Sequence, residues 1–203
     1  MKIKEAIILA GGLGTRLRSA VPDLPKCMAP VAGKPFLFYV INYYLSQGIE
    51  KFIFSLGYKH EHIEAFLHEQ FPSVMRDTVI EDEPLGTGGA IKFACSKASE
   101  KNVLALNGDT FFRIDVQLLA GIHNSNEAAC TLALKPMTNF NRYGVVELNN
   151  DASIHAFHEK KEYRHGLING GVYCLNVDSF NSEQLPVKFF FEKDYLVTFY
   201  SSR

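Results

Sequence analysis

Five consecutive apolar residues, Ala6-Ile7-Ile8-Leu9-Ala10, stop abruptly at Gly11-Gly12. An apolar run without polar alternation, closed by glycine, marks a strand buried on both faces. The pattern that follows extends this first strand into a layered arrangement. Residues 36–47 are dense in apolar side chains and end at Gly48, which predicts a buried helix with a glycine stop. Lys51-Phe52-Ile53-Phe54-Ser55-Leu56 reads as a second strand ended by Gly57. Ile63, Leu67 and Phe71 recur every four residues, an amphipathic helix over 60–71 closed before Pro72. A short strand at 78–80, a helix at 90–101 opened by Gly86-Thr87-Gly88-Gly89, and a strand at 103–106 continue the alternation. Alternating strands and helices predict right-handed βαβ units and a parallel sheet. Strands then predominate, at 130–134, 145–148 and 172–175. The expectation is a single α/β domain over residues 1–203, with a mostly parallel central sheet flanked by helices and a small antiparallel extension.

Length and charge narrow the function. A chain of 203 residues suits one domain and can bury about 70% of its unfolded surface. Its 21 basic and 22 acidic residues leave a formal charge of −1, which excludes a basic nucleic-acid footprint. The first apolar run is too short for a signal-peptide core or a membrane span. Four cysteines, at 27, 95, 130 and 174, form no C-x-x-C pair and read as free thiols in a reducing compartment. A soluble cytoplasmic protein with neither nucleic acid nor membrane as partner is expected. Its oligomeric state is not legible.

In open α/β sheets ligands bind beyond the carboxyl ends of the strands, and three glycine-marked turns fall there. The first is Leu9-Ala10-Gly11-Gly12-Leu13-Gly14-Thr15-Arg16-Leu17-Arg18. Its glycines let backbone N–H groups approach a phosphate. It is not the dinucleotide fingerprint, which needs glycine where Leu17 stands, nor a P-loop, which needs Gly-Lys-Ser/Thr. It offers Arg16 instead, followed by Pro25-Lys26, and both cations suit phosphate oxygens. The second turn, Asn107-Gly108-Asp109-Thr110, puts a carboxylate where Mg²⁺ beside a triphosphate would sit. The third runs from Glu81 to Ala90 and approaches a helix N-terminus. Taken singly, each is also ordinary strand-to-helix turn chemistry. His60, His62 and His68 lack metal-site spacing and read as a solvated helix face, and the 16 phenylalanines read mostly as packing. Phe111 and Phe112 could line a pocket after the Asp109 turn.

Taken in order, the first turn, Pro25-Lys26, the Gly86–Gly89 turn, Asn107-Gly108-Asp109, Glu159-Lys160 and Asn169-Gly170-Gly171-Val172-Tyr173 resemble the sugar-1-phosphate nucleotidylyltransferase family over essentially the whole chain. The resemblance implies a Rossmann-like nucleotidyltransferase fold. It also implies transfer of a nucleotidyl group from an NTP to a sugar 1-phosphate, releasing pyrophosphate. Glu83-Pro84-Leu85-Gly86-Thr87-Gly88-Gly89-Ala90, Arg142-Tyr143-Gly144 and Gly166-Leu167-Ile168-Asn169-Gly170-Gly171 look most like the guanylyltransferases that use GTP and a heptose 1-phosphate, with mannose 1-phosphate or another NTP as the alternative. By the same resemblance, Leu9, Ala10, Gly11, Gly12, Gly14, Thr15, Arg16, Glu83 and Gly88 would bind the nucleotide. Arg16, Lys26 and Lys160 would be the catalytic cations. Asn107, Gly108, Tyr143, Gly144, Glu159, Lys160 and Asn169 would hold the sugar phosphate, and Asp109 would carry Mg²⁺.

The chemistry asks little of a general base. The attacking phosphate oxygen is already ionised near pH 7, since a phosphomonoester's second pKa is about 6. Catalysis must bring two polyanions together by charge neutralisation and in-line positioning. Glu83 suits guanine because an ionised carboxylate can accept from both N1–H and the N2 amino group. It is equally a plain turn residue before Pro84. One departure stands out: the family's late segment reading roughly Asp-Ile-Gly-Thr-Pro, with a second metal-binding Asp, has no counterpart here. Asp194 precedes that element and does not inherit the role. A fragment, a natural short form with weakened metal binding, or a non-catalytic nucleotide-sugar binding module all fit this departure.

Overall fold

The computed structural model describes residues 2–12 and 24–200. β1 (Glu5–Leu9) is followed by a 3-10 turn at Lys26–Met28 and a small ribbon, β2 (Pro30–Val31) and β3 (Lys34–Pro35). Ala32 and Gly33 both have positive φ, 45° and 79°, as the tightest hairpin turns require. Next come α1 (Phe36–Ser46), β4 (Lys51–Leu56), α2 (His60–Gln70), β5 (Met75–Ile80), α3 (Gly86–Cys95) and β6 (Asn102–Asn107). α4 (Val116–Ser125), β7 (Cys130–Phe140), β8 (Val145–Leu148), β9 (Ile154–His158), β10 (Tyr163–Asn176) and α5 (Val177–Ser182) follow. A π-helical turn, Phe191–Leu196, comes last before a final helical turn.

Eight strands form one mixed sheet in the order β5-β4-β1-β6-β10-β8-β9, with β7 along the other edge of β10. β5, β4, β1 and β6 pair in parallel, while β10 is antiparallel to β6, β7 and β8. The antiparallel extension carries as many strands as the parallel unit. Its spine is β10, whose register shifts between Asn169 and Tyr173 as it passes from β8 to β6. Gly170 and Gly171 occupy that bulge. A Cβ on Gly170 would stand 2.1 Å from the Phe112 ring, and Gly171 has φ +71°, so both positions call for glycine.

Period-two alternation sorts the central strands into two cores. Ile8, Phe52, Phe54, Leu104 and Leu106 face α1 and α2 residues such as Leu37, Ile41, Ile63 and Leu67. Ile7, Ile53, Val103 and Ala105 face Ile91 of α3, Phe180 of α5, and Phe189, Phe191 and Tyr195. Every residue of β4 is buried, and in β1 only Leu9 is partly open.

Two expectations shift. The helix expected over 90–101 starts at Gly86 and ends at Cys95. It ends early because the backbone N–H groups of Ser99 and Glu100 go to the Glu5 carboxylate, at 2.8 and 3.2 Å. The strand expected over 130–134 runs on to Phe140, and the Phe111 ring, 41% exposed, rests on Phe36 and Tyr43 with centroids 6.5 and 5.2 Å apart.

Candidate active site

Parallel pairing brings the carboxyl ends of four strands to one edge. Leu9 lies opposite both Ser55 and Asn107, and Leu56 lies opposite Ile80. β10 runs the other way, with Val172 opposite Leu106, so Asn169, Gly170 and Gly171 arrive at that same edge. The approach there is close. Gly108 donates its N–H to the Leu9 carbonyl at 2.8 Å, and a Cβ on it would stand 3.0 Å from that oxygen. A Cβ on Gly11 would meet Leu56 and Gly57 backbone at 3.1 Å. Ala10 is buried and Gly12 exposed at the start of the first turn. Gly14, Thr15 and Arg16 lie outside the described residues.

Lys26 opens the 3-10 turn, and Asp109 stands just past β6. The Lys26 ammonium donates to Asp109 Oδ2, each side chain remaining about a third exposed, 38% and 33%. Thr110 Oγ1 donates to Asp109 Oδ1 at 3.3 Å. Burial, with the Asp109 charge in second place, pushes the Cys27 thiol up to about 12. Among the described residues no group of three or more His, Cys, Asp or Glu side chains gathers for a metal ion. A divalent cation at Asp109 would be held by fewer than three such side chains among the described residues, with phosphate oxygens and water completing its shell. Mg²⁺ accepts that arrangement, commonly taking one or two carboxylates plus substrate phosphates.

The carboxylate beside Gly11 is Glu81, which sequence reasoning passed over. Its Oε1 lies 3.1 Å from where a Gly11 Cβ would stand and accepts the Ser55 hydroxyl at 3.0 Å. Its Oε2 accepts the Leu85 N–H at 2.9 Å. Glu83, two residues on, is exposed. The signal that identifies Glu81 is its place directly after β5, at the edge shared with Gly11, Gly57 and Gly108. Gly88 lies within α3. It is buried, its N–H goes to the Phe189 carbonyl at 3.0 Å, and a Cβ on it would stand 2.2 Å from the Phe189 ring. Gly89 N–H reaches the same carbonyl, and Thr87 Oγ1 accepts the Phe191 N–H at 2.9 Å. The chain around Phe189 thus takes the Gly88 and Gly89 amides at the start of α3.

Gly144 backs onto the end of β9, where a Cβ would stand 2.3 Å from the His158 carbonyl and 3.9 Å from the Glu159 carbonyl carbon. Glu159 and Lys160 are exposed there, as is Tyr143, and the Glu159 carbonyl accepts the Tyr163 hydroxyl at 2.9 Å. Asn169 is held at three points, by Tyr173, Gly171 and Glu192. Beside them lies a cavity of about 310 Å³ whose walls include Leu9, Asn107, Tyr173, Glu192 and Lys193. Glu192 and Lys193 were not foreseen; their segment carries no glycine and no strand pattern to mark it.

Two heptose 1-phosphate enzymes are similar over most of the chain. The D-glycero-alpha-D-manno-heptose 1-phosphate guanylyltransferase of Aneurinibacillus thermoaerophilus is 51% identical over 95% of this chain and 83% of its own length. The protein of that name from Campylobacter jejuni is 46% identical over 93% and 83%. The crystal structure of HddC from Yersinia pseudotuberculosis complexed with GMP-PN superposes with a TM-score of 0.83 at 36% identity, covering 96% of this chain and 85% of that one. Residues 5–188 match the nucleotidyl transferase family, and the chain belongs to it.

Proposed function

We propose that this protein transfers GMP from GTP to D-glycero-α-D-manno-heptose 1-phosphate, giving GDP-heptose and pyrophosphate. The observation that carries the reading is identity of 46–51% to two heptose 1-phosphate guanylyltransferases over more than nine-tenths of the chain. The HddC structure, complexed with GMP-PN, supports a guanosine nucleotide as the donor.

The residues divide the work along that edge. Gly11, Gly12 and the residues that follow, with Arg16, cradle the triphosphate through N–H groups and a guanidinium. Lys26 leaves Asp109 for the α-phosphate as negative charge builds there in the transition state. Asp109 would hold Mg²⁺, which would supply charge neutralisation for the phosphates. Glu81, rather than Glu83, accepts from guanine N1–H and the N2 amino group. Each carboxylate oxygen keeps a lone pair beyond the bond it already makes to Ser55 or Leu85. Lys160 meets the sugar phosphate, and Glu159, Gly144 and Tyr143 hold the sugar beside it, with Asn107 and Gly108 framing the site. No side chain has to remove a proton, since the nucleophile arrives ionised.

The test is pyrophosphate release with Mg²⁺, across four NTPs and a panel of sugar 1-phosphates. GTP with the heptose 1-phosphate should give the highest kcat/KM. Faster turnover with mannose 1-phosphate or with another NTP would refute the substrate assignment. No release with any pair would refute the enzyme.

A further inference from the structure

Glu192 follows the buried Phe191 in the π-helical turn, and its side chain reaches β10. Its Oε1 accepts from Asn169 Nδ2 at 3.0 Å and from the Tyr173 hydroxyl at 3.2 Å. Asn169 Nδ2 also donates to the Tyr173 oxygen at 2.9 Å, and its Oδ1 accepts the Gly171 N–H at 2.9 Å. An amide nitrogen has two protons, so both donors of Asn169 are committed within this network. Burial, and after it the Glu192 charge, holds the Tyr173 phenol well above its ordinary range, which keeps it a donor. Among the described residues no group hydrogen-bonds the second oxygen, Oε2. The carboxylate is thus anchored by one oxygen at the 310 Å³ cavity, with the other left over.

We infer that Glu192 is the residue that accepts from a hydroxyl of the acceptor sugar, and that Asn169 and Tyr173 are positioning residues that aim it. This rests on the transfer reading proposed above. Its place in the sheet favours the acceptor over the nucleotide. Gly11 and Glu81 lie toward β4 and β5, Asp109 follows β6, and the Glu192 network lies on β10, beyond β6. The base and the acceptor would then occupy opposite sides of the phosphates. A carboxylate makes charge-assisted bonds to hydroxyl groups. Anchoring Oε1 beforehand removes much of the ordering cost of a long side chain at binding. The assignment also changes the role of Asn169, whose amide protons are spent on aiming Glu192.

The experiment measures kcat and both KM values for wild type and Glu192→Gln. The acceptors are the heptose 1-phosphate and analogues each lacking one hydroxyl. A sugar contact present equally in ground and transition states shows in KM and spares kcat. Glu192→Gln should raise KM for the sugar 1-phosphate about 10- to 100-fold, with KM for GTP unchanged. With one deoxy analogue the two enzymes should converge, a coupling that general distortion would not produce. Should the Gln variant fold poorly, Glu192→Asp, which keeps the charge and shortens its reach, should show the same rise and the same convergence. An unchanged sugar KM, a rise in the GTP KM instead, or a uniform loss across all analogues would overturn the inference. If wild type turns over and the variant matches it, only this inference falls. If wild type transfers to no sugar phosphate, the transfer reading falls and takes this one with it.

Discussion

Replacing Gly88 with alanine should weaken the fold and leave GTP binding intact. The added Cβ would stand 2.2 and 2.3 Å from Phe189 Cε2 and Cδ2, where ordinary contact begins at 3.4 Å. The ring must therefore give by more than an ångström, yet Phe189 is buried and packed between Phe180 and α3. Overpacking of that kind costs about 1–3 kcal/mol. Alanine returns up to about 1 kcal/mol of helix propensity, since Gly88 lies inside α3 without positive φ. A displacement this large sits at the upper end of that range, so the net loss is about 2 kcal/mol, which for a chain of this size lowers Tm by about 4–8 °C. Thermal unfolding by circular dichroism reads the first quantity, and steady-state KM for GTP reads the second. An unchanged Tm with a tenfold higher KM for GTP would refute the reasoning, because Gly88 would then face the nucleotide instead of Phe189.

Four further outcomes are expected. Asp109→Asn should abolish Mg²⁺-dependent pyrophosphate release while moving stability by about 0.5 kcal/mol or less, because its partner Lys26 is exposed enough to be rehydrated; retained activity would remove Asp109 from the metal site. Glu81→Gln should cut kcat/KM for GTP sharply while UTP use rises or holds level, as expected where a paired donor-acceptor match is broken; Glu83→Gln should leave the preference for GTP in place. Lys51→Met should destabilise the fold by about 1–3 kcal/mol in urea, since Lys51 bridges Glu5 at 3.3 Å and Asp77 at 3.0 Å, and its loss leaves the buried Glu5 carboxylate to the Ser99 and Glu100 N–H groups alone; adding Glu5→Gln should recover part of that loss. Cys27 and Cys95, both pushed up to about 12 by burial, should stay unreactive toward a disulfide reagent at pH 8, with thiolate near one part in ~10⁴, and react on unfolding.

The parallel half of the sheet was readable because its information is local. Runs such as Ala6–Ala10 and 51–56 are apolar on both faces, and the glycines after them mark where β1 and β4 must stop. The helices at 36–46 and 60–70 carry their own periodicity and lie within one residue of the expected bounds. α4 was not foreseen, although Asp115 caps it through a bond to the Leu118 N–H at 2.9 Å, because a single capping side chain is a weak signal beside a long apolar run. Glycine showed where turns lie, and packing set what each glycine is for: Gly108 lets the backbone approach Leu9, while Gly88 makes room for Phe189. Which charged groups meet is a matter of register and crossover, with no trace in local pattern. Lys26 finds Asp109, and Asn169 finds Glu192, because a sheet edge collects residues from distant strands. Residue type and spacing therefore carried the expectation of phosphate binding. The proposals of Glu81 in place of Glu83, and of Glu192 at the acceptor, rest on side chains that only long-range packing could bring to that edge.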